Sequence, residues 1–407
     1  MWLGPSDSFA LVVIGEERPD LIQAEGLLEK IPCVKDRSII QQGVSMHTVL
    51  VLGAGKIGSL ITCLLGDSGE YRVHLADLSL DAPKRLVEDL SLTTVIPCVL
   101  DVRRQNMVSD YIGLHGFDAV ISSLPYFCNP SVAEIALTNG LHYFDLTEDV
   151  EVTSRVRTIS AGAGHAFVPQ CGLAPGFISI VTHHLMTQFD TVETVKMRVG
   201  ALPVHPSNAL KYSLTWSTDG LINEYGNVCY GIENGHRVRL LPLEGYETIE
   251  VDGLLYEAFN TSGGLGTLAD TYEGSVRTMN YKTLRYPGHC EKIQLLMNDL
   301  KFNEDRATLK TILERAIPQT LQDVVLIYAA VTGLRHGALF EENHVQKIYP
   351  QTIRGRLWSA IQVTTASGLC SVVDLVLQNP SHYAGFITQE SFQLQDILAN
   401  RFGSCFR

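Results

Sequence analysis

Positive charge is scarce in this chain. Lys and Arg number 31 against 44 Asp and Glu, giving a formal net charge of −13. Such a balance argues against nucleic acid or an anionic membrane surface as a partner. Uninterrupted apolar runs near the ~20 residues of a membrane-spanning helix are missing. The nine cysteines (33, 63, 98, 128, 171, 229, 290, 370 and 405) include no C-x-x-C pair and no zinc-ligand spacing. No metal site is expected from them, and free thiols in a reducing cytoplasm are. His183 and His184 are adjacent on a helix-like run and face different ways, so they make no metal site either. The short apolar run from Phe9 to Ile14 has Asp7 and no basic residue ahead of it, so a signal peptide is not expected there. Internal repeats, low-complexity tracts and a long linker are also missing. What remains is 407 residues, 45% hydrophobic and 18% charged, an ordinary globular composition with room for two domains.

One stretch is strongly informative. The apolar run Thr48-Val-Leu-Val-Leu52 feeds directly into Gly53-Ala-Gly-Lys-Ile-Gly58, and Ser59 to Leu65 can continue as a helix. A second strand-like run, Tyr71 to Ala76, then ends on Asp77. Strand, glycine turn, helix, strand and acid form a dinucleotide-binding unit. Gly53 permits the tight turn, Gly55 lets a pyrophosphate approach the backbone, and Gly58 lets the helix pack on the strand. Lys56 and Ile57 open that helix, whose N-terminus offers free N–H groups to phosphates. Asp77 suits the adenosine ribose hydroxyls and repels a 2′-phosphate. The following Leu78-Ser-Leu-Asp81 holds no arginine to rescue NADP, so NAD is the expected cofactor.

The alternation continues. Strand-like runs cover 48–52, 71–76, 96–100, 118–122, 141–145 and 165–169, and helix-like runs cover 57–65, 81–91, 103–112, 130–139 and 149–161. This rhythm predicts an α/β fold, a Rossmann-type doubly wound parallel sheet. Ligands of such sheets lie at the carboxyl ends of the strands. Asp101, Val102, Ser123, Leu124, Pro125, Tyr126, Asp145, Cys171 and Pro175 are therefore site candidates, although Asp, Ser and Pro also end strands for turn and capping reasons. Beyond about 190, alternating runs with Gly and Pro turns (194–199, 238–243, 324–331, 344–349) predict a second, α+β domain on a mixed sheet. An apolar helical pattern over 357–378 is expected to close the chain and pack back on the first domain. The expected division is an N-terminal extension over 1–45, a NAD-binding domain over 46–175, a substrate and oligomerisation domain over 176–350, and a C-terminal helical segment over 351–407. Met46, two residues before the first strand, is an alternative native start.

Several segments, in order, resemble the saccharopine dehydrogenase family, which includes lysine 6-dehydrogenase. They are Ser123-Leu-Pro-Tyr126, His142-Tyr-Phe-Asp-Leu-Thr-Glu148, Cys171-Gly-Leu-Ala-Pro-Gly176, Val199-Gly-Ala-Leu-Pro203, Asn208-Ala-Leu-Lys-Tyr-Ser-Leu-Thr-Trp-Ser217 with Gly220, and Asn280-Tyr-Lys-Thr-Leu-Arg-Tyr-Pro-Gly-His289. The resemblance implies hydride transfer from a nitrogen-bearing carbon to a nicotinamide, followed by imine hydrolysis. It implies glutamate formation from saccharopine or, alternatively, oxidative deamination of lysine.

Such chemistry needs a cation for a substrate carboxylate and a group that moves protons. Arg285 suits bidentate carboxylate binding and His289 suits proton transfer, unless the two simply form a structural turn. Tyr126 and Asp145 are further catalytic candidates, Tyr126 being equally a packing aromatic. Arg198, Tyr212 and Asp219 are candidate substrate contacts. Fungal saccharopine reductases carry an arginine just before the glycine of the Trp-Ser-x-x-Gly segment. Here that segment is Trp216-Ser-Thr-Asp-Gly220, and Asp219 stands in that place, where an acid better suits an amine-bearing substrate. Thr261-Ser-Gly-Gly-Leu-Gly-Thr267 mimics a phosphate loop but lacks the following lysine, which predicts a flexible or tightly packed loop. The expectation is a cytoplasmic, homodimeric, NAD-dependent oxidoreductase acting on an amino-acid C–N bond. A non-catalytic nucleotide-binding regulator is the alternative of another class.

Overall fold

The computed structural model describes residues 46–407. The expectations for residues 1–45 lie outside this range. The first half alternates as β1 (His47–Leu52), α1 (Lys56–Asp67), β2 (Tyr71–Asp77), α2 (Asp81–Leu90), β3 (Val95–Val99), α3 (Gln105–His115), β4 (Ala119–Ser122), α4 (Asn129–Asn139), β5 (His142–Asp145), α5 (Val150–Ile159) and β6 (Ala166–Val168). All strand pairs are parallel, in the order β6-β5-β4-β1-β2-β3. The order reverses between β1 and β4, which opens a crevice above their carboxyl ends. Helices cover the sheet, and its central strand is apolar: Val49, Leu50 and Val51 of β1 are fully buried.

The second half runs α6 (Phe177–Met186), β7 (Thr191–Pro203), α7 (Thr218–Gly226), β8 (Cys229–Glu233), β9 (His236–Leu240), β10 (Glu247–Val251), β11 (Leu254–Asn260), α8 (Leu268–Thr271), β12 (Val276–Arg285), α9 (His289–Gln294), α10 (Arg306–Ala316), β13 (Asp323–Arg335) and β14 (Ala338–Ile348). These strands form a mixed sheet, β10-β11-β12-β7-β13-β14, with β8 and β9 branching from β12. Only β12 and β7 pair in parallel; the other neighbours are antiparallel. The 238–243 run is strand only to Leu240, where β9 ends.

A hairpin of β15 (Gln351–Ile353) and β16 (Arg356–Trp358) leads into α11 (Ala360–Gln378). Its start is held by Asp323 of β13, whose carboxylate accepts the Ala360 and Ile361 N–H groups at 2.6 and 3.1 Å. Ser359 and Gln362 add a capping box. Gln362 also donates to the Lys56 carbonyl at 3.1 Å, tying α11 to α1. By length and mean hydropathy (1.6) α11 could cross a membrane, but 83% of its apolar window is buried within the protein. Its buried Asp374 is saturated by Tyr71, Asn400, Arg401 and Gln378. The chain does not close there, contrary to the sequence expectation. β17 (Gly385–Phe386) adds a parallel edge strand beside β6, and α12 (Leu394–Ala399) follows. Two residues carry too little periodicity to announce a strand; the neighbouring β6 backbone creates it.

Candidate functional site

The glycine turn has the steric character of a phosphate cradle. Gly53 has φ +100°, and a Cβ there would lie 2.8 Å from the Ser123 carbonyl oxygen. A Cβ at Gly58 would strike the Gly53 carbonyl oxygen at 1.9 Å, so only glycine lets α1 approach β1. At Gly55 nothing lies within 4 Å, leaving open space over the helix N-terminus. Gly55 is also the N-cap and brings no capping side chain, so the first-turn N–H groups remain available to an anion. Asp77, at the end of β2, accepts the Ala54 and Leu78 N–H groups at 2.8 and 2.7 Å. A carboxylate so held keeps lone pairs for ribose hydroxyls. Lys56 points instead to the second half, donating to the Leu214 carbonyl at 3.1 Å.

Beside this turn, a cleft of about 1030 Å³, continuous with solvent, runs between the two sheets. Ile57, Ser123, Leu124, Pro125 and Tyr126 line the parallel-sheet side. Val199, Ala201, Tyr281, Thr283 and Arg285 line the mixed-sheet side, and Ile361 and Thr365 of α11 close it. Glu148, in the loop after β5, and Glu224, on α7, bring two carboxyl groups to its lining, beside Thr147 and Ser217. Arg285 is 3% exposed. Its Nε donates to Tyr225 Oη at 3.0 Å, and its Nη1 to Thr283 Oγ1 and the Leu284 carbonyl at 2.6 and 2.9 Å. Its Nη2 lies 3.6 Å from Glu224 Oε2. Burial raises the Glu148 carboxyl to about 7 and the Glu224 carboxyl to about 8, although Arg285 opposes the latter.

Several candidates stand elsewhere. His289 is buried behind Arg285, its Nδ1 facing the Leu210 carbonyl (2.7 Å) and its Nε2 facing Tyr225 Oη (2.9 Å). Burial and the Arg285 charge lower it to about 3, which unsuits it for proton exchange near neutrality. It supports Tyr225, which in turn holds Arg285. Asp145 is fully buried; it accepts Tyr143 Oη and the Thr147 and Gln170 N–H groups, and so pins the loops after β5 and β6. Tyr212 lies under Arg285, 5.0 Å from ring centroid to guanidinium, and receives the Trp216 indole N–H. Arg198 is 1% exposed and spent on Glu247 and two backbone carbonyls. Asp219 pairs with Lys310 at 2.6 Å outside the cleft. Asp101 is chelated by Arg103, and Val102 is a core residue. Cys171 is buried with Sγ on the Val168 carbonyl, and burial pushes its thiol far up, which excludes a nucleophile. Its neighbours Gly172, Leu173 and Ala174 line the cleft, whereas Pro175 stands outside the lining.

Residues 172–401 match the profile of the saccharopine dehydrogenase C-terminal domain, and residues 49–166 match that of the saccharopine dehydrogenase NADP-binding domain. The chain belongs to the saccharopine dehydrogenase family. It is 23% identical over 314 residues to the rat protein named alpha-aminoadipic semialdehyde synthase, mitochondrial, covering 71% of this chain and 32% of that one. It is 22% identical over 282 residues to the Schizosaccharomyces pombe saccharopine dehydrogenase [NADP(+), L-glutamate-forming], covering 64% of this chain and 59% of that one. The chain thus spans only about a third to three fifths of these relatives. The apo L-Glu-forming saccharopine dehydrogenase of Saccharomyces cerevisiae shares the fold, with a TM-score of 0.68 at 16% identity over 86% of this chain and 95% of that one.

Within this family setting, sequence reasoning missed both cleft glutamates. Glu148 ends a segment quoted for the resemblance and follows β5, so the strand-end rule could have reached it. Glu224 carries no signal: an acid on a nine-residue helix reads as a solvated face. The 261–267 glycine loop proves to be the tightly packed kind. It is almost wholly buried, and a Cβ at Gly264 would sit 2.2 Å from the Tyr281 ring.

Proposed function

We propose that this protein is a nicotinamide-dependent oxidoreductase acting on the C–N bond of an amino acid in lysine metabolism. The observation that supports it most is a single cleft joining Ile57 of the glycine turn and Ser123 after β4 to a buried arginine and two glutamates. Arg285 anchors a substrate carboxylate. Gly53, Gly55, Ile57, Gly58, Ser123 and Leu124 would hold the dinucleotide, and the open space at Gly55 fits its pyrophosphate. When bound, the nicotinamide supplies the hydride acceptor. Leu146, Leu173 and Ile361 make the wall apolar, which limits water at the reacting carbon.

Glutamate-forming oxidation of saccharopine is the first reading of the substrate. Lysine-type oxidative deamination is the second, favoured by Glu148 and Glu224, which supply two acids where saccharopine brings three carboxylates. NAD is the proposed cofactor, because Asp77 occupies the 2′-phosphate side and residues 78–81 bring no positive charge. The NADP-binding name of the matched domain points the other way.

The test is to titrate the full chain with NAD and NADP, then follow reduced nicotinamide with saccharopine and with L-lysine. Tighter NAD binding and turnover with either amino acid is expected. NAD binding with no turnover on any amino acid would favour the non-catalytic nucleotide-binding alternative.

A further inference from the structure

The two cleft glutamates are close enough to feel each other's charge, and α7 and the 261–267 loop pack against both. On α7, Gly220 and Glu224 are one turn apart and share a face. A Cβ at Gly220 would lie 2.4 Å from the Trp216 ring and 2.9 Å from Glu148 Oε1, so glycine there makes room for both. On the buried 261–267 loop, the Ser262 N–H donates to the Glu224 carbonyl at 3.0 Å. A Cβ on the next residue, Gly263, would lie 2.3 Å from the Glu148 carbonyl. Main chain and side chain therefore converge on one pair.

Each carboxyl group has one unpaired oxygen. Glu148 Oε1 and Glu224 Oε2 are both buried without a hydrogen-bond partner. Glu224 is 8% exposed and lines the cleft. Its nearest cation is Arg285 Nη2 at 3.6 Å, beyond hydrogen-bond reach, and the other Arg285 donors are committed. Buried polar atoms left unpaired are costly; the Asn223 amide, its Nδ2 also unpaired, lies beside Glu148, whereas Glu224 Oε2 has only Arg285 at 3.6 Å.

We infer that Glu148 and Glu224 form the nitrogen site of the cleft, for an amine-bearing monocarboxylate whose carboxylate goes to Arg285 and whose ammonium gives a proton to the pair. The inference rests on the second, lysine-type reading above, because saccharopine is not a monocarboxylate. In the proton step an N–H bond breaks, an O–H bond forms on the ionised glutamate, and nitrogen keeps the electron pair, as hydride loss from its carbon requires. Near neutrality Glu224, raised to about 8, holds its proton, and Glu148, raised to about 7 and partly ionised, is the member of the pair that accepts one. Arg285 is the one Lys or Arg among the described residues lining the cleft, which favours a single substrate carboxylate there.

The test uses the full chain with NAD present and calorimetry with 6-aminohexanoate, adipate and hexanoate as probes. 6-Aminohexanoate is expected to bind at least about tenfold more tightly than adipate, with heats that depend on buffer ionisation. E148Q and E224Q, checked for wild-type-like melting, are expected to lose about tenfold or more for 6-aminohexanoate and little for hexanoate. Failure of 6-aminohexanoate to bind, equal binding of adipate, or equal losses for hexanoate in the variants would overturn the inference. Glutamate-dependent amine binding in a protein that never reduces NAD would sink only the oxidoreductase reading. Turnover of an amine whose affinity ignores both variants would sink only this inference.

Discussion

Arg285 Nη2 and Glu224 Oε2 face each other at 3.6 Å in the inner wall of the cleft, within reach of each other's charge but not hydrogen-bonded. The arginine is positioned by Tyr225, which His289 holds from behind. Arg285→Met is therefore predicted to raise the substrate KM by about 10- to 100-fold through loss of a charged hydrogen-bonded anchor. Arg285→Lys keeps the charge but not the fork, and should recover only part of that. Steady-state kinetics on both variants checks this, with dinucleotide affinity expected to stay unchanged.

Glu224 makes stability depend on pH in a definite direction. Burial raises its carboxyl to about 8 in the folded chain, against an ordinary 4.5. The folded state thus holds a proton that the unfolded chain has already lost, and stability falls as pH rises through that window. Glu224→Gln cannot titrate. Its melting temperature relative to wild type is predicted to climb steadily as pH is raised from about 5 to about 8. A flat difference would contradict the burial of this group.

His289 acts in the opposite sense. Unfolded, its imidazole protonates near 6.5; folded, only near 3. The unfolded chain binds the proton first, so stability falls as pH drops from about 6.5 toward about 3, by at most ~1.4 kcal/mol per pH unit for this one group. His289→Gln removes that slope and costs about 1–3 kcal/mol at neutral pH through its lost hydrogen bonds. Denaturant melts at several pH values check both.

The glycine turn separates binding from folding. Gly55→Ala adds a methyl into open space and should leave the melting temperature nearly unchanged while weakening NAD by about tenfold or more. Gly58→Ala collides with the Gly53 carbonyl at 1.9 Å and should lower stability by about 1–3 kcal/mol. Thermal melts and NAD titrations on the two variants distinguish these effects.

Much of this architecture was legible because its signals are local. The run 48–52 became β1, 71–76 became β2 and 81–91 became α2, each within a residue or two. The dinucleotide turn is a contiguous pattern, and the strand-end rule reached Ser123 to Tyr126. Arg285 was reachable from its chemistry. The rest depends on which way a turn carries a side chain. Gly288 has φ +90°, and the turn it makes sends His289 behind the wall rather than into the cleft. Asp145 sits at a strand end but turns inward, where backbone N–H groups claim it. Arg198 and Lys282, directly paired across β7 and β12, share Glu247, a partnership between strands far apart in sequence. Glu148 and Glu224 meet only because α7 and the 261–267 loop pack together, which no spacing in the sequence reveals.

The most direct measurement of the central claim is isotope transfer. An amino-acid substrate carrying deuterium on its nitrogen-bearing carbon is incubated with the protein and NAD, and the reduced cofactor is examined by mass spectrometry. The account predicts reduced nicotinamide carrying one deuterium, with Arg285→Met slowing its formation. Reduced cofactor without deuterium, or oxidation at a carbon that bears no nitrogen, would contradict it.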